Sequence, residues 1–308
     1  EAASPGDRPA SAYRAAVRAA HRRAVELAVR DLRAGGLGAP PAAFSFLLLG
    51  SHGRGEPHLA SDQDHAMVLE DYPDERWGEV EPYFIALSER IVALLAQAGL
   101  PRCEGNVMCT NPVWRKRFSE WMEQVRGWCA SPDARNVRYA AIFCDFTPAL
   151  PDDALAGALR EDVMRLLARN HNLLRAMYDE ACDHRVPLKP FGGFSAPRSG
   201  PEKGTVDLKR TGLGYLVEGV RILALRRGIA VTDTVERLRA LEEAGALSSG
   251  EAGACRAAFG RLYRLLLRAE RESLEKGLSP SARLDPGALP EAERYRLREA
   301  LETVAELQ

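Results

Sequence analysis

Apolar and polar positions follow two rhythms along the chain. Between residues 10 and 34, Val17, Ala20, Ala24, Val25, Leu27 and Ala28 recur at helical spacing among alanines and arginines. This predicts an amphipathic helix with a solvated arginine face. Gly35–Gly36 and Pro40–Pro41 end it. Two short apolar runs follow, Phe46–Leu49 and Ala66–Leu69, separated by a polar, glycine-broken stretch. They predict strand, turn, strand. Pro82–Ala98 returns to helical spacing and closes at Gly99 and Pro101. Residues 102–112 read as a loop with a short strand through Val107–Cys109. Trp114, Phe118, Trp121 and Trp128 predict a helix with an aromatic face in the core. Residues 139–147 (YAAIFCDFT) predict a third strand, interrupted by Asp145.

Beyond residue 150 the period is helical throughout. Pro148–Asp153 reads as a linker, and residues 154–183 as one long helix carrying Leu155, Leu159, Val163, Leu166, Leu167, Leu173 and Leu174. The Pro/Gly-rich stretch 186–206 is longer than a connector needs, which points to a functional loop. Helices are expected over 207–228, 233–244, 249–277 and 290–307. Asp233-x-x-Glu236 and Ser248-x-x-Glu251 have the form of capping boxes, and Pro290 suits a first helical turn. No fixed-period repeat is visible, so a bundle is expected rather than a solenoid. The fold class is α+β: a small mixed-sheet domain, then an all-helical bundle, with an N-terminal helix in front. The expected divisions are 1–36, 37–150 and 151–308, with residues 1–9 a disordered tail.

A chain of 308 residues has room for two domains and a substantial core. Hydrophobic residues make up 46% and charged residues 28%, as in ordinary globular proteins. A net charge of −1 gives no footprint for gripping extended nucleic acid. No apolar run approaches the ~18 residues of a membrane span. The six cysteines show neither C-x-x-C pairs nor zinc spacing. They suit reduced thiols in a cytoplasmic protein. The chain begins at Glu1 without Met, as an excised part of a longer protein would.

The chemistry concentrates in Phe46–Asp71, FLLLGSHGRGEPHLASDQDHAMVLED. Side chains at i and i+2 of an extended segment share a face, so Asp62 and Asp64 project together. Two close carboxylates repel unless a cation lies between them. Magnesium takes one or two carboxylates and completes its shell with phosphate oxygens and water. Gly50–Ser51, at the end of a strand, offers backbone N–H groups and a hydroxyl to an anion. Separately, a D-x-D pair or a G-S-x-G turn says little. Together, ahead of an apolar strand, they point to a metal–phosphate site.

Gly50, Ser51, Gly53, Arg54, Glu56, Ser61, Asp62 and Asp64 resemble the signature of the DNA polymerase β-like nucleotidyltransferase superfamily. The nearer resemblance is to bacterial nucleotidyltransferases related to the PII-protein uridylyltransferase, and it runs from about residue 10 to the C-terminus. It implies a magnesium-dependent enzyme, with manganese as an alternative ion. Such an enzyme moves a nucleoside monophosphate from ATP or another NTP to a hydroxyl and releases pyrophosphate. The acceptor is a protein, as in PII signalling, or a small molecule. Asp62 and Asp64 become metal ligands, and Gly50 and Ser51 hold the terminal phosphates. Arg54 pairs with phosphate or, structurally, with Glu56. The superfamily carries a third acid on a later strand. Asp145 is the best-placed candidate, as metal ligand and aid to deprotonation, and Asp71 a weaker one. An N-P-x-W-R segment recurs in the family, so Asn111, Trp114 and Arg115 either line the nucleotide pocket or pack the core.

The helical domain is the family's substrate-binding part. Lys209 and Arg210 are therefore candidates for phosphate or an acidic acceptor, or else a solvated helix end. His52, His58 and His65 match no metal spacing and read as pocket or surface histidines. Related sequences carry His-Gln where Ala269–Glu270 stand, which detaches those two positions from any family role. Cyclic-nucleotide-binding and CBS regulatory domains precede the module in many members, so such domains are expected upstream in a longer chain. A homo-oligomer is left open. The competing readings are a non-catalytic nucleotide-sensing module and a helical interaction scaffold with a vestigial domain.

Overall fold

The two apolar runs form the centre of a small sheet. In the computed structural model, β1 (Phe44–Leu48) pairs antiparallel with β2 (His65–Leu69), Leu48 opposite His65 and Phe44 opposite Leu69. Both strands are almost wholly buried, which is why they read as continuous apolar runs rather than as alternation. The structure describes residues 8–150, 153–182, 185–190 and 193–307. The expected tail before residue 8, part of the 148–153 linker and residues 191–192 of the long loop lie outside the described residues.

The sheet has four strands in the order β3-β2-β1-β4. β3 (Arg115–Arg117) runs parallel to β2, and β4 (Thr147–Pro148) antiparallel to β1. The N-terminal helix α1 (Arg8–Ala34) packs on α3 (Trp77–Gln97). Ala24, Val25, Ala28 and Leu32 join Phe84, Leu87, Ile91 and Leu95 in one core with Phe46, Leu48, Met67 and Leu69. A second cluster is aromatic. Trp121, on α4 (Phe118–Ala130), stacks on Phe143 at 4.2 Å and donates its indole N–H to Met67 O. Trp114 meets Tyr139 edge-on at 5.3 Å.

Three expectations need correction here. Residues 139–147 are not a strand: α5 (Ala134–Phe143) runs into a turn holding Asp145, and β4 is only two residues long. Tyr139 and Phe143 are four apart and face the same aromatic cluster, and a short buried helix face is as apolar as a strand. The strand of residues 115–117 is Arg-Lys-Arg, without apolar signal, and β-structure through 107–109 is absent among the described residues. The long helix 154–183 is two, α6 (Ala154–Ala168) and α7 (His171–Cys182), divided where the Asn170 side chain accepts from Leu173 N.

The chain folds as two compact units. The first holds residues up to Pro57, Ser61–Ser131 and Arg138–Leu166. The second holds His58–Ala60, Pro132–Val137 and everything from Leu167. The N-terminal helix thus belongs to the sheet unit, as does most of α6. The second unit is a bundle of α7, α8 (Gly214–Arg226), α9 (Thr234–Glu243), α10 (Ser249–Glu275) and α11 (Glu291–Leu307). A ribbon of β5 (Val206–Asp207) and β6 (Arg283–Leu284) and a π-helical turn, Lys209–Leu213, replace the start of the expected helix 207–228. Ser248 and Glu251 form the full capping box of α10. Asp233 caps α9 through the amides of Val235 and Glu236, while the Glu236 carboxylate pairs with Arg239.

Candidate active site

The backbone leaves β1 at Leu48 and turns sharply at Gly50, whose φ is +52°. A Cβ there would lie 2.7 Å from Asp64 Oδ2. Only glycine allows both this left-handed turn and the closeness of the carboxylate. The short turn α2 (Gly50–Gly53) follows. At Gly53 a Cβ would run into the carbonyl oxygens of Asp145 and Leu48. Gly50 thus admits a carboxylate, and Gly53 two carbonyls, against the chain.

Leu49 N donates to Asp64 O at 2.9 Å, tying the end of β1 to the residue before β2. Ser51 Oγ and Ser61 Oγ are 3.2 Å apart, so the two hydroxyls of the motif meet. Residues 100–107 run beside this segment. Gln63 N donates to Pro101 O at 2.9 Å, and its side-chain amide donates to Leu100 O at 2.8 Å. His65 N donates to Val107 O at 3.0 Å. These bonds bring Cys103 to the acids. One ligand atom each from Asp62, Asp64 and Cys103 lies within 4.8 Å of the others, and all three residues are half-buried. Burial, the Asp64 charge and a thiol hydrogen bond to Asp64 push the Cys103 thiol up to about 12. The carboxylate oxygens belong to part-exposed residues and fit the donor preference of a hard divalent cation.

Asp145 lies outside this group. It is fully buried, and Arg54 Nη1 donates to its Oδ2 at 2.7 Å. Arg54 Nε donates to Glu56 Oε2 at 2.8 Å, so the guanidinium bridges two carboxylates. Asp71 is engaged elsewhere, accepting from the Ser119 amide and hydroxyl at the start of α4. Trp114 is fully buried among aromatics, and Asn111 accepts from Val113 N. Arg115 pairs with Glu81 and donates to Cys109 O. Trp114 thus packs in the core, while Asn111 and Arg115 make polar contacts within the sheet unit. Lys209 and Arg210 are exposed on the π-helical turn of the second unit.

The three motif histidines are all buried, none on the surface. His65 Nδ1 accepts from Cys109 N, and burial, with the nearby His21, pushes it down to about 3. His21, to which no sequence motif points, is buried and held down to about 4, mainly by desolvation. Its ring meets His52 edge-on at 4.9 Å. His58 Nδ1 lies 2.6 Å from Glu270 Oε1, and Leu59 N donates to Glu270 Oε2 at 2.8 Å. Glu270 therefore has a definite structural task that the family resemblance at that position does not suggest. Cys103 also escapes sequence reading, because its spacing matches no metal motif.

A sheet with a glycine-turn, paired hydroxyls and paired carboxylates, in a chain that also carries a separate helical unit, is the plan of a nucleotidyltransferase-type protein. Two family models match the chain: “Putative nucleotidyltransferase DUF294” over residues 8–135 and “Putative nucleotidyltransferase substrate binding domain” over residues 171–308. The chain belongs to the family that these two domains define. No curated protein sequence matches it. No helix among the described residues is long and apolar enough to cross a membrane.

Proposed function

We propose that the protein is a divalent-cation-dependent nucleotidyltransferase that moves a nucleoside monophosphate from an NTP to an acceptor hydroxyl. The observation that carries this reading is the meeting of the Asp62 and Asp64 carboxylates beside the Gly50 turn. Asp62 and Asp64 would hold the cation, which supplies charge neutralisation on the triphosphate and on the pyrophosphate leaving group. Gly50 and Ser51 would receive the terminal phosphates, with Ser61 orienting the Ser51 hydroxyl.

Arg54 is held by Glu56 and Asp145, and in this reading it supports phosphate binding by fixing the turn after Ser51. Asp145 then acts through Arg54 rather than as a third metal ligand. Lys209 and Arg210, exposed in the domain matched by the substrate-binding model, are candidates for phosphate or an acidic acceptor.

The test is incubation with each α-phosphate-labelled NTP and magnesium, with and without cell extract. The expected result is pyrophosphate and a labelled acceptor from wild type, and neither from Asp62→Ala/Asp64→Ala. A protein that turns over no NTP, and whose double variant binds nucleotide as tightly as wild type, contradicts the reading.

A further inference from the structure

We propose that Cys103 is a third protein ligand of the Asp62–Asp64 cation site, and that the site takes a thiophilic divalent cation of the Zn2+ or Cd2+ class more tightly than Mg2+. The inference rests on the carboxylate pair being a cation site, as argued above. It goes beyond that reading because an oxygen-only site would be sufficient for magnesium.

Three features carry it. The first is proximity: the Cys103 sulfur lies in the same 4.8 Å group as an oxygen from each acid. The second is the way the thiol is held. The stretch 100–107 is joined to 63–65 by backbone bonds on both sides of Cys103, from Gln63 N to Pro101 O and from His65 N to Val107 O. Asn106 N donates back to Cys103 O at 3.1 Å, and Asn106 takes a positive φ of 55° to close that turn. The Cys103 main chain is thus fixed beside the two acids. The third is the donor set. Two carboxylates and one thiolate give three protein ligands and open positions for water or a phosphate oxygen. That is the make-up of an open zinc site rather than a closed structural one. Sulfur strengthens binding of Zn2+ and Cd2+ and does nothing for Mg2+. On binding, the metal–sulfur bond replaces the S–H bond and the proton passes to solvent. Cys109, Cys129, Cys144 and Cys255 are buried and Cys182 is exposed, and none of these belongs to the acid group.

Cadmium alone is the probe. Its ultraviolet sulfur-to-metal charge-transfer band is titrated in wild type, Cys103→Ser and Asp62→Asn/Asp64→Asn, with Mn2+ binding followed in parallel by loss of the free-ion paramagnetic signal. The expected result is a saturable band in wild type, absent in Cys103→Ser. Cd2+ affinity should fall roughly tenfold or more in either variant, at least what losing an outer-shell partner costs a metal site. Mn2+ binding should persist in Cys103→Ser and vanish in the double variant.

A Cd2+ band unchanged by Cys103→Ser overturns the proposal. Mn2+ binding that needs the acids, with Cd2+ binding indifferent to Cys103, overturns it while leaving the cation site standing. No binding of either ion overturns both. Should Cys103→Ser misfold, alkylation of wild type decides: Cd2+ should protect the Cys103 peptide from iodoacetamide, and an unprotected peptide contradicts the assignment.

Discussion

At the residue scale, the site depends on where a side chain is missing. Gly50 combines a positive φ with a carboxylate 2.7 Å from where Cβ would stand. Gly50→Ala should cost about 1–3 kcal/mol through the left-handed backbone alone. It should also displace Asp64, so calorimetry should show a lower Tm together with weaker Mn2+ binding. Asp145 offers a contrast. Asp145→Asn breaks a buried ion pair with Arg54, and urea unfolding should register a loss of about 3–5 kcal/mol. Cation affinity should stay near wild type, and a lost affinity would instead make Asp145 a ligand. The buried histidines give the fold an acid limit. His21 and His65 sit near 4 and 3 against an ordinary 6.5. Both stay neutral when folded and take a proton when unfolded. Their contribution is complete above pH 6.5 and is lost as pH falls towards those values. Between pH 7.5 and 5, stability should drop by about 2 kcal/mol per histidine. Replacing His21 with Gln should flatten part of that slope in urea titrations at each pH.

At the element scale, the best-marked pieces were those with a local cause. The Ser248–Glu251 box announced α10, and the unbroken apolar runs announced β1 and β2. What misled was structure fixed by distant partners. The Arg-Lys-Arg of β3 is a strand because β2 lies beside it, and no local pattern says so. The run 139–147 is a helix end because its aromatics face Trp121 and Trp128. The acid pair and the glycines could be named as candidates from the sequence, since their spacing is local. Cys103 could not, because backbone bonds to Gln63 bring it beside the acids, and Glu270 meets His58 and Leu59 from a helix far along the chain. Glu270 is fully buried on α10 and receives Leu59 N and the His58 ring. Glu270→Ala should cost about 1–3 kcal/mol by leaving those groups without an acceptor. Faster hydrogen exchange at the Leu59 amide would locate the effect.

At the scale of the whole molecule, the chain has two compact units and matches two family models, “Putative nucleotidyltransferase DUF294” and “Putative nucleotidyltransferase substrate binding domain”. The sequence changes rhythm near residue 150, and compactness divides the chain inside α6. The central claim is that the Asp62–Asp64 pair holds the cation through which a triphosphate binds. Equilibrium binding of a non-hydrolysable NTP, with and without Mg2+, tests it without any knowledge of the acceptor. Wild type should bind more tightly with Mg2+, by roughly tenfold or more on the scale of metal-site losses, and Asp62→Asn/Asp64→Asn should show no Mg2+ effect. An equal Mg2+ effect in both proteins would contradict the account.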